Sequence, residues 1–125
     1  MAENISCDDF DVELEFKSGS NAYKKIVNGD YKVVVVSLSR LPSHGLETAK
    51  ALRSNKKVRN IPLIFVDGKG EALGKAKSVV PDAVYVKFSE IKDVLEIYRF
   101  KSNTDLIWLI YIKIDKSDFD LDLKL

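Results

Sequence analysis

The stretch YKVVVVSLSRLPSHGLETAKALR, residues 31–53, decides the fold class of this chain. It opens with a segment, Tyr31 to Leu38, that contains four consecutive valines. A β-branched run without polar alternation predicts a strand covered on both faces, as in a parallel sheet between helices. Leu46, Ala49 and Leu52 then follow at helical spacing and predict an amphipathic helix. A strand that leads into such a helix is the repeating unit of an α/β sheet.

The same alternation continues on both sides of this stretch. Strands are predicted at 61–66 and 83–86, and an edge strand at 10–16, where acids alternate with apolar residues and are expected in solvent. Helices are predicted around 18–28, 70–80 and 89–98. Because strands and helices alternate at roughly 20 to 30 residues per unit, we expect one doubly wound parallel sheet with right-handed crossovers.

Composition restricts the chain further. Its 125 residues suffice for one core, so 1–125 is predicted to be a single domain with a flexible start at 1–8. A net charge of +1 provides no field for nucleic acid, and no apolar run approaches the roughly 20 residues of a membrane span. The single cysteine, Cys7, and single histidine, His44, exclude an internal disulfide and a two-histidine metal site. We expect a cytoplasmic protein that binds neither nucleic acid nor membranes.

The C-terminal segment 104–125 contains a further strand. Its run LIWLIYI, residues 106–112, is apolar at every position and predicts a strand with neighbours on both sides. One interpretation places this strand in the centre of the sheet, parallel to its neighbours. The other is a hairpin with 118–125, turned at 115–117, which extends the sheet edge or pairs with a second copy of the chain.

Four segments together resemble a response-regulator receiver domain: DYKVVVVSL, RLPSHGLE, IPLIFV and YVKF, in this order. The resemblance covers roughly residues 10–100, and LSRLPSHG is also similar to an uncharacterised group of bacterial receiver-like proteins. It implies a three-layer α/β/α, flavodoxin-like fold whose site lies at the carboxyl ends of the strands. Receiver domains signal by phosphorylation of one aspartate. A central C-terminal strand would make this chain a circularly permuted member.

The resemblance also indicates a degenerate site. Counting back from Pro42 places the family's phosphoacceptor at Leu38, or at Ser37 if the register shifts by one. Neither residue carries the carboxylate that attacks a phosphoryl group. The family's hydroxyl residue falls on Asp67 and its lysine on Lys87, so only the lysine keeps its residue type.

Two acids near the C-terminus bear on a metal site. If the C-terminal strand fills the vacant first-strand position, Asp115 emerges beside Leu38 and Asp67. Asp67, Asp115 and Asp118 are then candidate ligands of a magnesium ion. The competing interpretation, in which these acids are turn and cap residues, is the one we expect, and no cofactor is predicted.

The resulting functional hypothesis is a phosphorylation-independent signalling module that binds a protein partner or forms a homodimer. The resemblance places the partner surface on the last helix and its adjoining strand, at Lys87, Phe88, Ile91, Leu95 and Tyr98. The alternative is a small-ligand-binding protein or enzyme that uses the strand-end crevice, lined by Ser37, Asp67, Lys87 and Asp115. Enzymatic activity is the less expected of the two.

Overall fold

A computed structural model describes residues 10–15, 18–39, 42–101 and 107–112, with side chains except at 10, 11, 42, 97–101, 107 and 108. The strands are β1 (Phe10–Glu15), β2 (Val33–Ser37), β3 (Leu63–Val66), β4 (Val84–Val86) and β5 (Ile107–Ile112). The helices are α1 (Gly19–Asn28), α2 (Pro42–Ser54), α3 (Gly70–Val79) and α4 (Ile91–Lys101). A 3-10 turn, Phe88–Glu90, leads into α4. Among these described helices, none is long and apolar enough to cross a membrane.

The five strands form one parallel sheet in the order β1-β5-β2-β3-β4. Leu109 of β5 lies opposite Val12 of β1 on one side and Val33 of β2 on the other. Counting β5 as the first strand turns this order into 2-1-3-4-5, the order of flavodoxin-like sheets. The fold is therefore flavodoxin-like, as predicted, and its strand order is the permuted one that the first of the two interpretations of the C-terminal strand requires. The alternative hairpin would extend the sheet edge or pair with a second copy of the chain, whereas β5 lies between β1 and β2. The hairpin's second strand, residues 118–125, lies outside the described residues.

Two apolar layers cover opposite faces of the sheet. Because alternate strand residues point to opposite sides, Val34 and Val36 face one layer and Val33 and Val35 the other. Helices α1, α2 and α3 supply the first layer with Ala22, Ile26, Leu46, Ala49, Leu52, Ala76 and Val80. Helix α4 supplies the second with Ile91 and Leu95. The valine run is buried on both faces, as its composition predicts.

Gly45 brings the first turns of α2 against β2. A Cβ atom at this position would lie 2.5 Å from Cγ1 of Val36, closer than side chains pack. A larger residue would therefore push α2 away from the sheet. The missing side chain fixes the path between β2 and α2, and so positions the carboxyl end of β2.

Strand β1 lies at the sheet edge as predicted, but one of its acids does not lie in solvent. Glu15 is only 3% exposed. Its Oε2 accepts a hydrogen bond from Ser18 N at 3.1 Å, and its Oε1 lies 2.9 Å from Lys25 Nζ. This pairing permits the burial of the carboxylate. The hydrogen bond to Glu15 is the largest cause that raises the pKa of Lys25, and Glu13 at 3.0 Å adds to it, whereas burial opposes it.

Arg53 near the end of α2 joins the loops at the amino ends of the strands. Its Nη1 donates to the carbonyl oxygens of Arg59 and Ile61, both at 2.8 Å. Its Nη2 donates to Asp82 Oδ2 at 2.8 Å, and its Nε donates to Oδ1 at 3.4 Å. We call Arg53, Arg59, Ile61 and Asp82 the amino-end clamp. It ties α2 to two loops with one side chain.

Tyr85 of β4 completes this end of the molecule. Its hydroxyl lies 2.8 Å from the carbonyl oxygen of Ala76 and 2.6 Å from that of Val80, at the end of α3. Its ring stacks on Phe65 with centroids 5.2 Å apart. Burial is the main cause that raises the pKa of Tyr85; Asp82 adds to the rise and Arg53 opposes it. The two carbonyls also accept backbone N–H groups, from Val80 at 2.8 Å and Ala83 at 3.3 Å, so the hydroxyl adds a side-chain contact to the end of α3.

Candidate functional site at the carboxyl ends of the strands

A crevice of about 490 Å³ opens where β2, β3 and β4 end. This is the edge at which open α/β sheets bind ligands. Its lining, which we call the strand-end crevice, consists of Leu38, Ser39, Asp67, Gly68, Lys69, Ala72 and Lys87. The structure thus brings together Leu38, Asp67 and Lys87 of the predicted degenerate site.

Leu38 provides an apolar wall of the crevice. Its backbone N–H donates to the carbonyl oxygen of Val66 at 2.9 Å, which extends the β2–β3 ladder by one residue. Its side chain is 4% exposed and belongs to the layer under α1, α2 and α3. A Cβ at Gly68 would lie 2.8 Å from Cδ1 of Leu38, so the leucine packs directly against this glycine. Leu38 therefore places buried hydrocarbon at the end of β2, and its side chain carries no nucleophilic atom.

Ser37 does not line the crevice. Its side chain is 6% exposed, and its Oγ lies 2.7 Å from Ser39 Oγ and accepts from Ser39 N at 3.2 Å. The hydroxyl therefore contacts another hydroxyl rather than a base, which does not activate it as a nucleophile. His44 lines a separate groove of about 400 Å³ between α1 and α2. This arrangement gives no support to serine–histidine chemistry.

Asp67 connects the end of β3 to the start of the 3-10 turn. Its φ angle is 59°, a left-handed conformation that aspartate tolerates better than most residues. Its N–H donates to the carbonyl oxygen of Val86 at 3.1 Å. Its Oδ1 accepts a hydrogen bond from Phe88 N at 2.9 Å. The Asp67 carboxylate thus bonds the end of β3 to the backbone that follows β4.

Lys87 and Lys69 give the crevice its positive charge. Both side chains are exposed and line the wall. Within the described ranges, neither ammonium has a carboxylate or carbonyl partner. The backbone N–H of Lys87 donates to Glu90 Oε1 at 2.9 Å, which fixes the start of the 3-10 turn. The two lysines and Asp67 are the charged groups of this lining.

The magnesium hypothesis stays a prediction. Asp115 and Asp118 lie outside the described residues, as does any contact they make with Asp67. Within the described part, no three His, Cys, Asp or Glu side chains group closely enough to hold a metal ion. Asp67 is thus the one of the three predicted ligands whose position is known.

The residues predicted for partner binding divide into an inward and an outward set. Ile91 and Leu95 are 2% and 1% exposed and pack in the layer between α4 and the sheet. Phe88 is half-buried, and its ring centroid lies 5.7 Å from that of Tyr111 on β5. Lys87 is exposed, and the side chain of Tyr98 lies outside the described part. The inward residues hold α4 in place, so a partner on this helix could contact only their exposed neighbours.

Ser39 and Lys69 also line the crevice, but they were not predicted from the sequence, because no motif marks them. Ser39 directly follows Leu38, and Lys69 follows Asp67 by two residues. Each lies in the loop that leaves a parallel strand. The available signal is therefore positional: residues just after strand ends meet at one edge of the sheet.

Comparison with known proteins supports this fold. The chemotaxis protein CheY1 of Helicobacter pylori (strain ATCC 700392 / 26695) is 29% identical over 90 residues, which cover 67% of this chain and 73% of that protein. No protein-family model matches the chain. No solved structure matches it either. The similarity and the sheet order together support a receiver-like fold.

Proposed function

We propose that this chain is a receiver-type signalling domain that acts without aspartyl phosphorylation and docks a protein partner through α4 and the 3-10 turn. The similarity to a chemotaxis protein supports the signalling class. The observation that carries the proposal is Leu38, which is 4% exposed and packs on Gly68 where the family's nucleophile would stand. A hydrocarbon at that position forms no phosphoryl bond.

The contact between Asp67 and Phe88 supports the absence of a phosphorylation switch. A switch needs two states between which a ligand or modification discriminates. Here a carboxylate oxygen already accepts the Phe88 N–H at 2.9 Å, so the loops after β3 and β4 are joined without any added group. Phe88 in turn contacts Tyr111 of the central strand. Partner binding or self-association then supplies the regulation.

Mixed charges on α4 support a protein partner over nucleic acid. Lys92, Asp93 and Glu96 are exposed on this helix, next to Lys87 at the end of β4. Both signs occur within two turns, so the helix offers no basic stripe for phosphates. Ile91 and Leu95 anchor the helix beneath them.

The phosphorylation arm is tested with acetyl phosphate and with beryllofluoride, each with magnesium. We expect an unchanged intact mass and an unchanged amide spectrum, because no carboxylate occupies the Leu38 position. A stoichiometric phosphoryl adduct, wherever it maps, would overturn phosphorylation independence. The amide spectrum also reports whether the sample is folded, so the negative result is interpretable.

The docking arm is tested by placing a photo-crosslinking amino acid at Lys92 in the host cell, with the same substitution at Lys56 as the matched control. Both side chains are exposed lysines, but Lys56 lies in the loop after α2. We expect a discrete adduct from position 92 alone. An adduct of twice the chain mass identifies the homodimer, and a larger or smaller one a different partner. No adduct at 92, or the same adduct at both positions, contradicts docking on α4.

A further inference from the structure

The strand-end crevice has the size of a ligand site. Its volume of about 490 Å³ falls within the range of roughly 300 to 1,000 Å³ that is typical of small-molecule pockets. At roughly 30 Å³ per water molecule, it is much larger than a single oxyanion needs. A ligand that fills the crevice must therefore contain further atoms besides one anionic group.

The charges of the lining select an anion. Lys69 and Lys87 each bring an ammonium that has no acidic partner in the described part of the chain. Against these two cations stands the carboxylate of Asp67, and one of its oxygens already accepts the Phe88 N–H. Ser39 adds a hydroxyl that is bonded to Ser37 Oγ and retains a free lone pair or proton. The wall therefore carries a net positive charge.

Leu38 changes what this edge of the sheet can bind. A carboxylate at its position would repel an anion, whereas a leucine does not. Ala72, with the small exposed part of Leu38, also offers an apolar surface inside the same crevice. The substitution that removes the nucleophile thus makes the crevice suitable for an anion held without a covalent bond.

We propose that the strand-end crevice reversibly binds a small organic phosphate monoester. The phosphate, close to a dianion at pH 7, contacts the ammonium groups of Lys69 and Lys87 and the hydroxyl of Ser39. The organic part covers Leu38 and Ala72. The proposal goes beyond partner docking, because it assigns a small ligand to the strand-end crevice; Lys87 borders both this crevice and the proposed docking surface.

The experiment titrates the full chain with phenyl phosphate in the presence of a chelator, with inorganic phosphate and phenol in parallel. We expect phenyl phosphate to shift the amide signals of Ser39, Gly68 and Ala72 and to bind more tightly than either fragment. The chelator removes any magnesium-dependent reaction from the readout. Absence of shifts at these amides, or equal affinity for phenyl phosphate and inorganic phosphate, overturns the proposal.

Charge variants test the location of the site. We expect Lys69→Gln and Lys87→Gln each to raise the Kd at least about threefold, because each removes one charge-assisted contact that is partly screened by solvent. Lys56→Gln removes the same charge at the opposite end of the sheet and should leave the Kd unchanged. An equal loss in all three variants would show general charge attraction and overturn the site. All three lysines are exposed, so the fold is retained, and each variant's spectrum checks this.

Discussion

The two ends of the sheet differ in how their cationic side chains are paired. At the amino ends of the strands, Arg53 donates to two carbonyl oxygens and to Asp82, and Tyr85 lies within hydrogen-bond distance of two further carbonyls. At the carboxyl ends, Lys69 and Lys87 line a crevice without an acidic partner among the described residues. Satisfied groups stabilise the fold, whereas available groups can bind something else. The comparison therefore predicts stabilising contacts at the amino ends and available cations at the carboxyl ends.

The largest effect on the free energy of unfolding is expected from β5, the buried strand between β1 and β2. Ile110 of β5 is fully buried and lies opposite Glu13 of β1 and Val34 of β2. Ile110→Asp should cost more than about 4 kcal/mol and abolish the cooperative urea transition, because it buries an unpaired charge. Ile110→Val should cost only about 1 kcal/mol. A stable, cooperative Asp variant would contradict the central position of β5.

Loss of the amino-end clamp should give the next largest effect. Arg53→Met removes the donors to Arg59, Ile61 and Asp82, and we expect it to lower the free energy of unfolding by about 2 kcal/mol. The exposure of Asp82 limits the contribution of the ion pair. The control is Lys50→Met, whose pair with Glu47 is exposed at 3.3 Å and should cost less than about 0.5 kcal/mol. Equal losses in urea denaturation would remove the distinction between clamp and surface pair.

Tyr85→Phe should have a smaller effect and should also change the pH dependence. Losing the hydroxyl contacts should cost about 1 kcal/mol at pH 7. Because the folded pKa of Tyr85 is raised above its ordinary value of 10.0, its contribution is fully present below pH 10 and is lost as pH rises through the folded pKa. Urea midpoints measured at pH 8 and pH 11 should therefore differ less in the variant. An identical pH dependence of both proteins would show that Tyr85 has no such role.

The smallest stability effect is expected at the carboxyl ends. Lys69→Met and Lys87→Met should each change the free energy of unfolding by less than about 0.5 kcal/mol, because neither ammonium pairs with an acid in the described structure. Urea denaturation beside the Arg53→Met variant gives the comparison directly. A loss of about 2 kcal/mol in either lysine variant would place stabilising contacts at this end as well.

The sequence predicts which strands are buried on both faces, but it does not predict the burial of the charged residue Glu15. The valine run and the apolar C-terminal strand predict burial on both faces, because only hydrocarbon suits such positions, and both strands are central. Periodicity fails at Glu15, since alternation alone places it in solvent. The structure buries it because Ser18 N and Lys25 supply its partners. These partners come from the following loop and helix, so the strand pattern contains no sign of them.

The candidate site was predictable to the extent that topology determines it. Leu38, Asp67 and Lys87 each follow a parallel strand, and such strand ends meet at one edge. Side-chain direction was not predictable: Ser37 and Leu38 are adjacent in sequence, yet Leu38 lines the crevice and Ser37 bonds to Ser39 beside it. A shift of one residue in a strand exchanges these roles.

The position of β5 also bears on how quickly the native state can form. Phe10 pairs with Ile107, so closing the sheet joins segments separated by most of the chain. Contacts of such sequence separation slow folding, because the entropy of loop closure is lost before the contacts stabilise anything. During synthesis, β1 and one edge of β2 have no partner strand until β5 has left the ribosome. Until then both edges are open to aggregation, so chaperone demand should be highest before β5 is complete.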